Sequence, residues 1–265
     1  MITTAGPKLA TLVAATLVAL PGCGPDEQKG GALAAGADKP RLTVSAASSL
    51  KQALTGYAEG FPGADARLSF AGSDELAAQI RQGVKPDVYA AANTELPKAL
   101  YDEGLVEKPV VFAANRLVIA VPSDAGEIDS LEDLGRPGVK LAIGARSVPV
   151  GSYTREVIGR LDKDKGRRIL ANVRSEEPDV GGVVGKLTQG AVDAGFVYVT
   201  DVAATGGKLE AIDLPDELQP IVAYGAAAVK GARQPEQAKA FVAGLLEGEG
   251  AKALRDAGFE PPPSP

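Results

Sequence analysis

The chain has 265 residues, with 28 Lys and Arg against 34 Asp and Glu, one Cys and no His. Its composition, 45% hydrophobic and 23% charged, is typical of a globular protein of one large domain or two smaller ones. Without His there is no Ser-His-Asp triad and no His-ligated zinc, and a single Cys excludes an internal disulfide. The net charge of −6 argues against a nucleic-acid partner, which would need a basic surface.

The N-terminus carries the pattern of an export signal. Residues 9–20 form an apolar run that follows Lys8; the run is too short to span a bilayer but has the length of a signal-peptide core. It ends in Leu-Pro-Gly-Cys, which resembles a lipoprotein signal that is cleaved before Cys23 and lipidated on its sulfur. We therefore expect a signal peptide at 1–22 and an exported protein, anchored at the cell membrane through Cys23 and facing the periplasm or the extracellular side. An ordinary signal peptide with an incidental Cys is the alternative.

The next stretch, residues 23–40, is rich in Gly and Ala and has no periodicity, which predicts a flexible tether. From residue 41 onward, short apolar runs alternate with segments of helical periodicity. Predicted strands, each followed by a predicted helix, lie at 42–44, 67–70 and 87–91. This order predicts a parallel sheet covered by helices.

A longer apolar strand at 115–121 leads into a second series of the same kind. Its strands and helices are predicted at 139–143, 153–161, 180–189 and 194–199, followed by a long strand at 221–229 and two helices. Two such units joined by two long strands predict an α/β protein with two lobes, each a mixed, mostly parallel sheet flanked by helices. The predicted boundaries are 41–121 for the first part of lobe 1, 122–222 for lobe 2 and 223–265 for the return to lobe 1.

Hydroxyl groups and helix starts follow the strands, at the sheet edge where open α/β folds bind ligands. Ser49 and Ser73 stand at helix starts in the first unit, Val150 and Val180 at helix starts in the second, and Tyr198 ends a strand. Brought together, their hydroxyls and helix N-terminal N–H groups would form a neutral cage of donors suited to an oxyanion. Taken singly, each serine is more simply explained as a helix cap and the tyrosine as a core residue.

Seven segments resemble the molybdate-binding proteins of bacterial ABC importers. They are SAASSLKQAL at 45–54, FAGSDELAAQI at 70–80, PDVYAAAN at 86–93, NRLVIAVP at 115–122, VPVGSY at 148–153, PDVGGVV at 178–184 and GFVYVTDV at 195–202. The resemblance implies the two-lobed fold of type II periplasmic binding proteins. It also implies that molybdate or tungstate lies between the lobes, held without charged side chains by the hydroxyls of Ser49, Ser73 and Tyr198 and the backbone N–H groups of Val150 and Val180.

The same resemblance implies a monomeric binding protein with no cofactor and no enzyme activity, whose partners are the permease and ATPase subunits of a molybdate importer. A shell of donors alone fits a fully ionised anion and leaves the proton of monohydrogen phosphate unpaired. Binding of sulfate, phosphate or phosphonate in the same fold is the alternative. An enzyme on this fold is a more distant one, because a nucleophilic Ser49 would need a Lys as its base. With no His and no charged site residue, we expect anion affinity to be nearly independent of pH between about 6 and 8.

Overall fold

Two five-stranded sheets, each flanked by helices, form the core of residues 39–124 and 126–263, which are the residues that the computed structural model describes. The strands are β1 Arg41–Ala47, β2 Asp65–Ala71, β3 Val88–Ala91, β4 Val110–Asn115, β5 Leu117–Pro122, β6 Leu141–Gly144, β7 Val173–Glu177, β8 Ala194–Tyr198, β9 Leu209–Asp213 and β10 Val222–Ala228. The α-helices are α1 Lys51–Gly60, α2 Ser73–Arg81, α3 Glu95–Asp102, α4 Pro149–Arg160, α5 Lys163–Ala171, α6 Val180–Thr188, α7 Val199–Ala203, α8 Pro235–Leu246 and α9 Glu249–Asp256.

The two sheets share one topology. The first has the strand order β2-β1-β3-β10-β4, in which β1, β2 and β3 are parallel and β10 runs antiparallel to both of its neighbours. The second has the order β7-β6-β8-β5-β9, in which β6, β7 and β8 are parallel and β5 is the antiparallel strand. Each sheet therefore takes its antiparallel strand from the other half of the chain. The prediction of an α/β fold with two mixed sheets is confirmed.

The chain passes between the sheets twice, and the first passage is a single residue. Arg116 alone separates β4 from β5, and residues 214–221 separate β9 from β10. The side-chain oxygen of Asn115 accepts the N–H of Arg116 at 2.9 Å, which ends the first strand locally. Because β5 pairs with β8 and β9, the first passage lies one strand earlier than the predicted boundary at 121/122.

The strands absent from the sequence prediction are β4, β7 and β9, and all three lie at sheet edges. The strands β7 and β9 are partly exposed and carry charged residues, so they lack the continuous apolar run that marks a buried parallel strand, whereas β4 reads VVFAAN, an apolar run that the prediction did not assign. The strand β7, for example, reads VRSEE. Helix α5 was also missed; its first six residues are charged or Gly, and its start is fixed by Asp162, whose carboxylate accepts the N–H groups of Asp164 and Lys165.

The predicted signal peptide at 1–22, Cys23 and the predicted tether up to residue 38 lie outside the described residues. Within the described part of the chain, no helix combines the length and apolarity needed to cross a bilayer.

Candidate functional site

The five residues singled out from the sequence all line one small cavity between the sheets. Ser49 and Ser73 come from the half that contains the first sheet, and Val150, Val180 and Tyr198 come from the other half. The space free of protein atoms there, including the part that is open to solvent, is about 220 Å³. The remaining lining residues are Ala47, Ser48, Ala71, Gly72, Ala92, Val148, Pro149 and Asp179.

Helix starts place the two backbone donors at this cavity. Val150 is the second residue of α4, behind a proline at the first position, and Val180 is the first residue of α6. Asp179 caps α6 by accepting the N–H of Gly182 at 3.0 Å. The N–H of Val180 takes no part in this bond. The first N–H groups of a helix have no acceptor within the helix and carry the positive end of its dipole. Both valines therefore present N–H groups suited to an anion.

The two serines do not cap the helices that they begin. No side-chain cap bond is formed at the starts of α1 and α2 among the described residues. The Oγ of Ser73 instead accepts the N–H of Ala92 at 3.1 Å. Because a backbone N–H only donates, the hydroxyl proton of Ser73 stays free to be donated elsewhere. The interpretation of Ser49 and Ser73 as helix caps is therefore wrong.

Tyr198 brings a hydroxyl with no protein partner. Its ring is fully buried, and its Oη forms no hydrogen bond among the described residues. Buried polar atoms are nearly always paired, so an unpaired hydroxyl at a cavity indicates a ligand. Burial raises the pKa of Tyr198 well above its ordinary value, so this hydroxyl stays protonated and acts as a donor.

The lining is nearly free of charge. Of the described residues around the cavity, Asp179 alone is charged, and one of its oxygens is already used in capping α6. Nor do the described residues include a group of three or more His, Cys, Asp or Glu side chains that could hold a metal ion. The cavity thus offers neutral hydrogen-bond donors, which match an anion rather than a cation.

The two halves touch at the cavity through backbone. A Cβ atom placed on Gly72 would lie 2.5 Å from the carbonyl oxygen of Pro178, which belongs to the opposite half. The backbone of Gly72 has φ −61° and ψ 138°, which any residue adopts. Glycine is therefore required at this position by the approach of the other half and not by the backbone conformation.

Comparison with known proteins shows which family has this architecture. Residues 42–260 match the family of bacterial extracellular solute-binding proteins. The chain belongs to this family. A relative of this solute-binding protein, the molybdate-binding protein ModA of Mycobacterium tuberculosis, is 35% identical over 258 residues, which are 95% of this chain and 97% of the relative.

Solved structures show the same fold. The periplasmic molybdate-binding protein of Azotobacter vinelandii is 21% identical and superposes with a TM-score of 0.74, covering 84% of this chain and 100% of that one. The sulfate-binding protein SubI of Mycobacterium tuberculosis is 18% identical with a TM-score of 0.74, covering 84% and 87%. The fold and the family resemblance predicted from the sequence are therefore confirmed for this solute-binding protein.

Two polar residues behind the cavity were not predicted. Tyr224 lies in the middle of β10, and its hydroxyl is 3.0 Å from the Oγ of Ser49. Asn115, the last residue of β4, contacts the same hydroxyl at 3.4 Å. The one sequence signal at Tyr224 is a tyrosine within a strand of small apolar residues, VAYGAAA, and that is also typical of a core tyrosine.

Asp201, which contacts the backbone of Tyr198, is a third residue that was not predicted. Its Oδ2 accepts the N–H of Tyr198 at 3.0 Å. Surrounding protein atoms raise the pKa of this carboxyl from 3.8 to about 7, and the negative charge of Asp179 adds to that rise, whereas the bond from Tyr198 opposes it. The expectation that anion affinity is nearly independent of pH between about 6 and 8 did not take this carboxyl into account, and it stays a prediction.

This raised pKa predicts a pH-dependent stability. A carboxyl whose pKa is higher in the folded state contributes stability that is complete below its unfolded pKa, near 4, and is lost as the pH rises through about 7. We expect the unfolding free energy of the ligand-free protein to fall between about pH 5 and pH 8 relative to that of Asp201→Asn, which keeps an oxygen acceptor without a charge. Urea unfolding of both proteins across this range measures the difference, and a difference that stays constant with pH would contradict the assignment.

Proposed function

We propose that this protein captures molybdate, and tungstate of the same charge and shape, outside the cytoplasm and delivers it to the permease and ATPase of an ABC importer. The observation that carries the proposal is the unpaired hydroxyl of Tyr198 in a cavity lined by donors. In this proposal the anion accepts hydrogen bonds from the hydroxyls of Ser49, Ser73 and Tyr198 and from the N–H groups of Val150 and Val180. The molybdate-binding relative, which this chain matches along nearly its whole length, supports it.

Neutral donors are sufficient to hold a dianion. Each hydrogen bond to a charged group contributes about 1.5–3 kcal/mol. Five such bonds, offset by the cost of removing water from the anion and of bringing the two halves together, make an affinity of about micromolar or tighter reasonable. Molybdate and tungstate are fully ionised near neutral pH and carry acceptors only, so every donor of the cavity finds a partner.

Sulfate is the second candidate, because a sulfate-binding protein shares the fold. It has the same charge and shape with shorter bonds, so the size of the cavity has to distinguish the two anions. The sulfate-binding structure is 18% identical to this chain, whereas the molybdate-binding relative is 35% identical, which favours molybdate.

We further propose that the protein is not an enzyme. A nucleophilic serine needs a base beside it. The hydroxyl of Ser49 instead contacts the hydroxyl of Tyr224. Burial raises the pKa of Tyr224 well above its ordinary value. A protonated phenol donates a hydrogen bond to this serine and does not remove its proton.

The remaining parts of the proposal concern location and assembly. The N-terminal pattern supports export and lipid attachment at Cys23, which would hold a monomeric binding protein at the membrane that contains its permease. In the proposed cycle the closed form, with both halves around the anion, is what the permease recognises.

Calorimetric titration of the purified protein with molybdate, tungstate, sulfate and phosphate tests the proposed ligand. We expect molybdate and tungstate to bind with dissociation constants of about micromolar or below, and sulfate and phosphate to bind at least about 100-fold more weakly. Tight binding of sulfate with weak binding of molybdate would establish the second candidate. No binding of any of the four would overturn the assignment of the cavity as an oxyanion site.

A further inference from the structure

A chain of buried hydrogen bonds lies behind Ser49. The side-chain nitrogen of Asn115 is 2.8 Å from the Oγ1 of Thr200 and 3.4 Å from the Oη of Tyr224, which in turn is 3.0 Å from the Oγ of Ser49. These four residues are at most 7% exposed. Of the four, Ser49 is the one that lines the described cavity, so the others reach an anion only through it.

The direction of each bond in this chain is fixed by chemistry. The Oδ1 of Asn115 accepts the N–H of Arg116 at 2.9 Å, so the NH₂ group faces Thr200 and Tyr224. An NH₂ group only donates, and the Oη of Tyr224 must therefore accept from it. Burial raises the pKa of Tyr224 well above its ordinary value and keeps this hydroxyl protonated, and among the described residues Ser49 is its one partner that can accept this proton. With the Oγ of Ser49 as the acceptor, the proton of Ser49 is free for another partner.

We propose that Asn115 and Tyr224 are positioning residues that orient Ser49 to donate its hydrogen bond to the bound anion and not to accept one from it. The proposal rests on the proposed oxyanion function and extends it to specificity. Ser73 is fixed in the same sense by the N–H of Ala92. With both serines held as donors, neither of them offers an acceptor to the proton of an oxyanion such as monohydrogen phosphate.

The variant Tyr224→Phe removes the hydroxyl and keeps the ring. Ser49 is then free to rotate and to accept, so we expect molybdate to bind about tenfold more weakly and the molybdate-to-phosphate affinity ratio near pH 7 to fall by about tenfold or more. Tyr57→Phe is the matched control, because that hydroxyl donates to the carbonyl oxygen of Phe241, away from the cavity. Its affinities should equal those of the wild type.

A double-mutant cycle separates a positioning role from a merely structural one. If Tyr224 acts through Ser49, then Tyr224→Phe should change molybdate affinity by less than about twofold in a Ser49→Ala background. Multiplying effects, or a wild-type affinity ratio in Tyr224→Phe, would overturn the proposal. If Tyr224→Phe does not fold, Asn115→Leu is used in its place, because it removes the donor that orients Tyr224. An unchanged molybdate-to-phosphate affinity ratio in Asn115→Leu would overturn the proposal as well. Failure of the wild type to bind molybdate would instead count against the proposed function itself.

Discussion

Tyr198→Phe is expected to weaken molybdate binding by about 1.5–3 kcal/mol, or roughly 10- to 150-fold, without destabilising the ligand-free protein. Within residues 39–124 and 126–263 the hydroxyl of Tyr198 has no hydrogen-bond partner, so its removal breaks no hydrogen bond of that part of the chain. The ring stays in place against Tyr224, with centroids 5.9 Å apart in an edge-to-face arrangement. Calorimetry measures the affinity, and thermal unfolding without ligand measures the stability.

The control variant, Tyr57→Phe, is expected to show the opposite pattern. Tyr57→Phe removes a hydroxyl that donates to the carbonyl oxygen of Phe241 at 3.2 Å, so it should lower stability and leave the affinity unchanged. A Tyr198→Phe protein that melts earlier and binds molybdate as tightly as the wild type would give this hydroxyl a structural role. It would also remove the observation on which the proposed function rests.

Gly72→Val is expected to hold the two halves apart and to weaken molybdate binding by at least about tenfold. A side chain at this position meets the carbonyl oxygen of Pro178, a backbone atom that cannot turn aside. An anion that must contact both halves then loses part of its donor shell. When the halves separate, the contact with Pro178 is lost, and the neighbour that remains is a side-chain oxygen of Asp74, 2.9 Å from a Cβ built at Gly72, so binding and closure should fall together.

Small-angle scattering with and without saturating molybdate reports closure, and calorimetry reports affinity. Gly60→Val is the matched control, since no atom lies within 4 Å of a Cβ built there. The wild type and the control should contract on adding molybdate, and Gly72→Val should not. Because Gly72 also precedes α2, where valine is a poor cap, thermal unfolding checks that the variant is folded. Contraction and affinity equal to the wild type would contradict closure at this contact.

The five residues of the cavity could be found from the sequence because each stands where a strand meets a helix. Such positions are marked by the change from an apolar run to a helical period, and parallel strands bring them to one edge. Ser49 and Ser73 were identified in this way, together with the backbone positions Val150 and Val180. What the sequence did not show is which way a hydroxyl proton points, since that depends on atoms such as the N–H of Ala92.

The residues that were missed depend on packing between distant segments. Tyr224 touches Ser49 only because β10 returns from the end of the chain into the first sheet. The pKa of Asp201 is raised by its surroundings, and a carboxylate early in a helix usually faces water. Arg116 was assigned to the predicted strand 115–121, because Asn115 and Arg116 directly precede its apolar run.

The place of β10 between β3 and β4 has a consequence for the order of assembly. In the first sheet β4 pairs with β10 and, through Ala114, with Glu260, so this sheet is incomplete until almost the whole chain has been synthesised. Closing so long a loop is slow compared with forming local contacts. For a polypeptide that we propose to be secreted, this delay keeps the nascent chain incompletely folded while it passes through a translocation channel. The native packing then forms once the C-terminal segment has emerged.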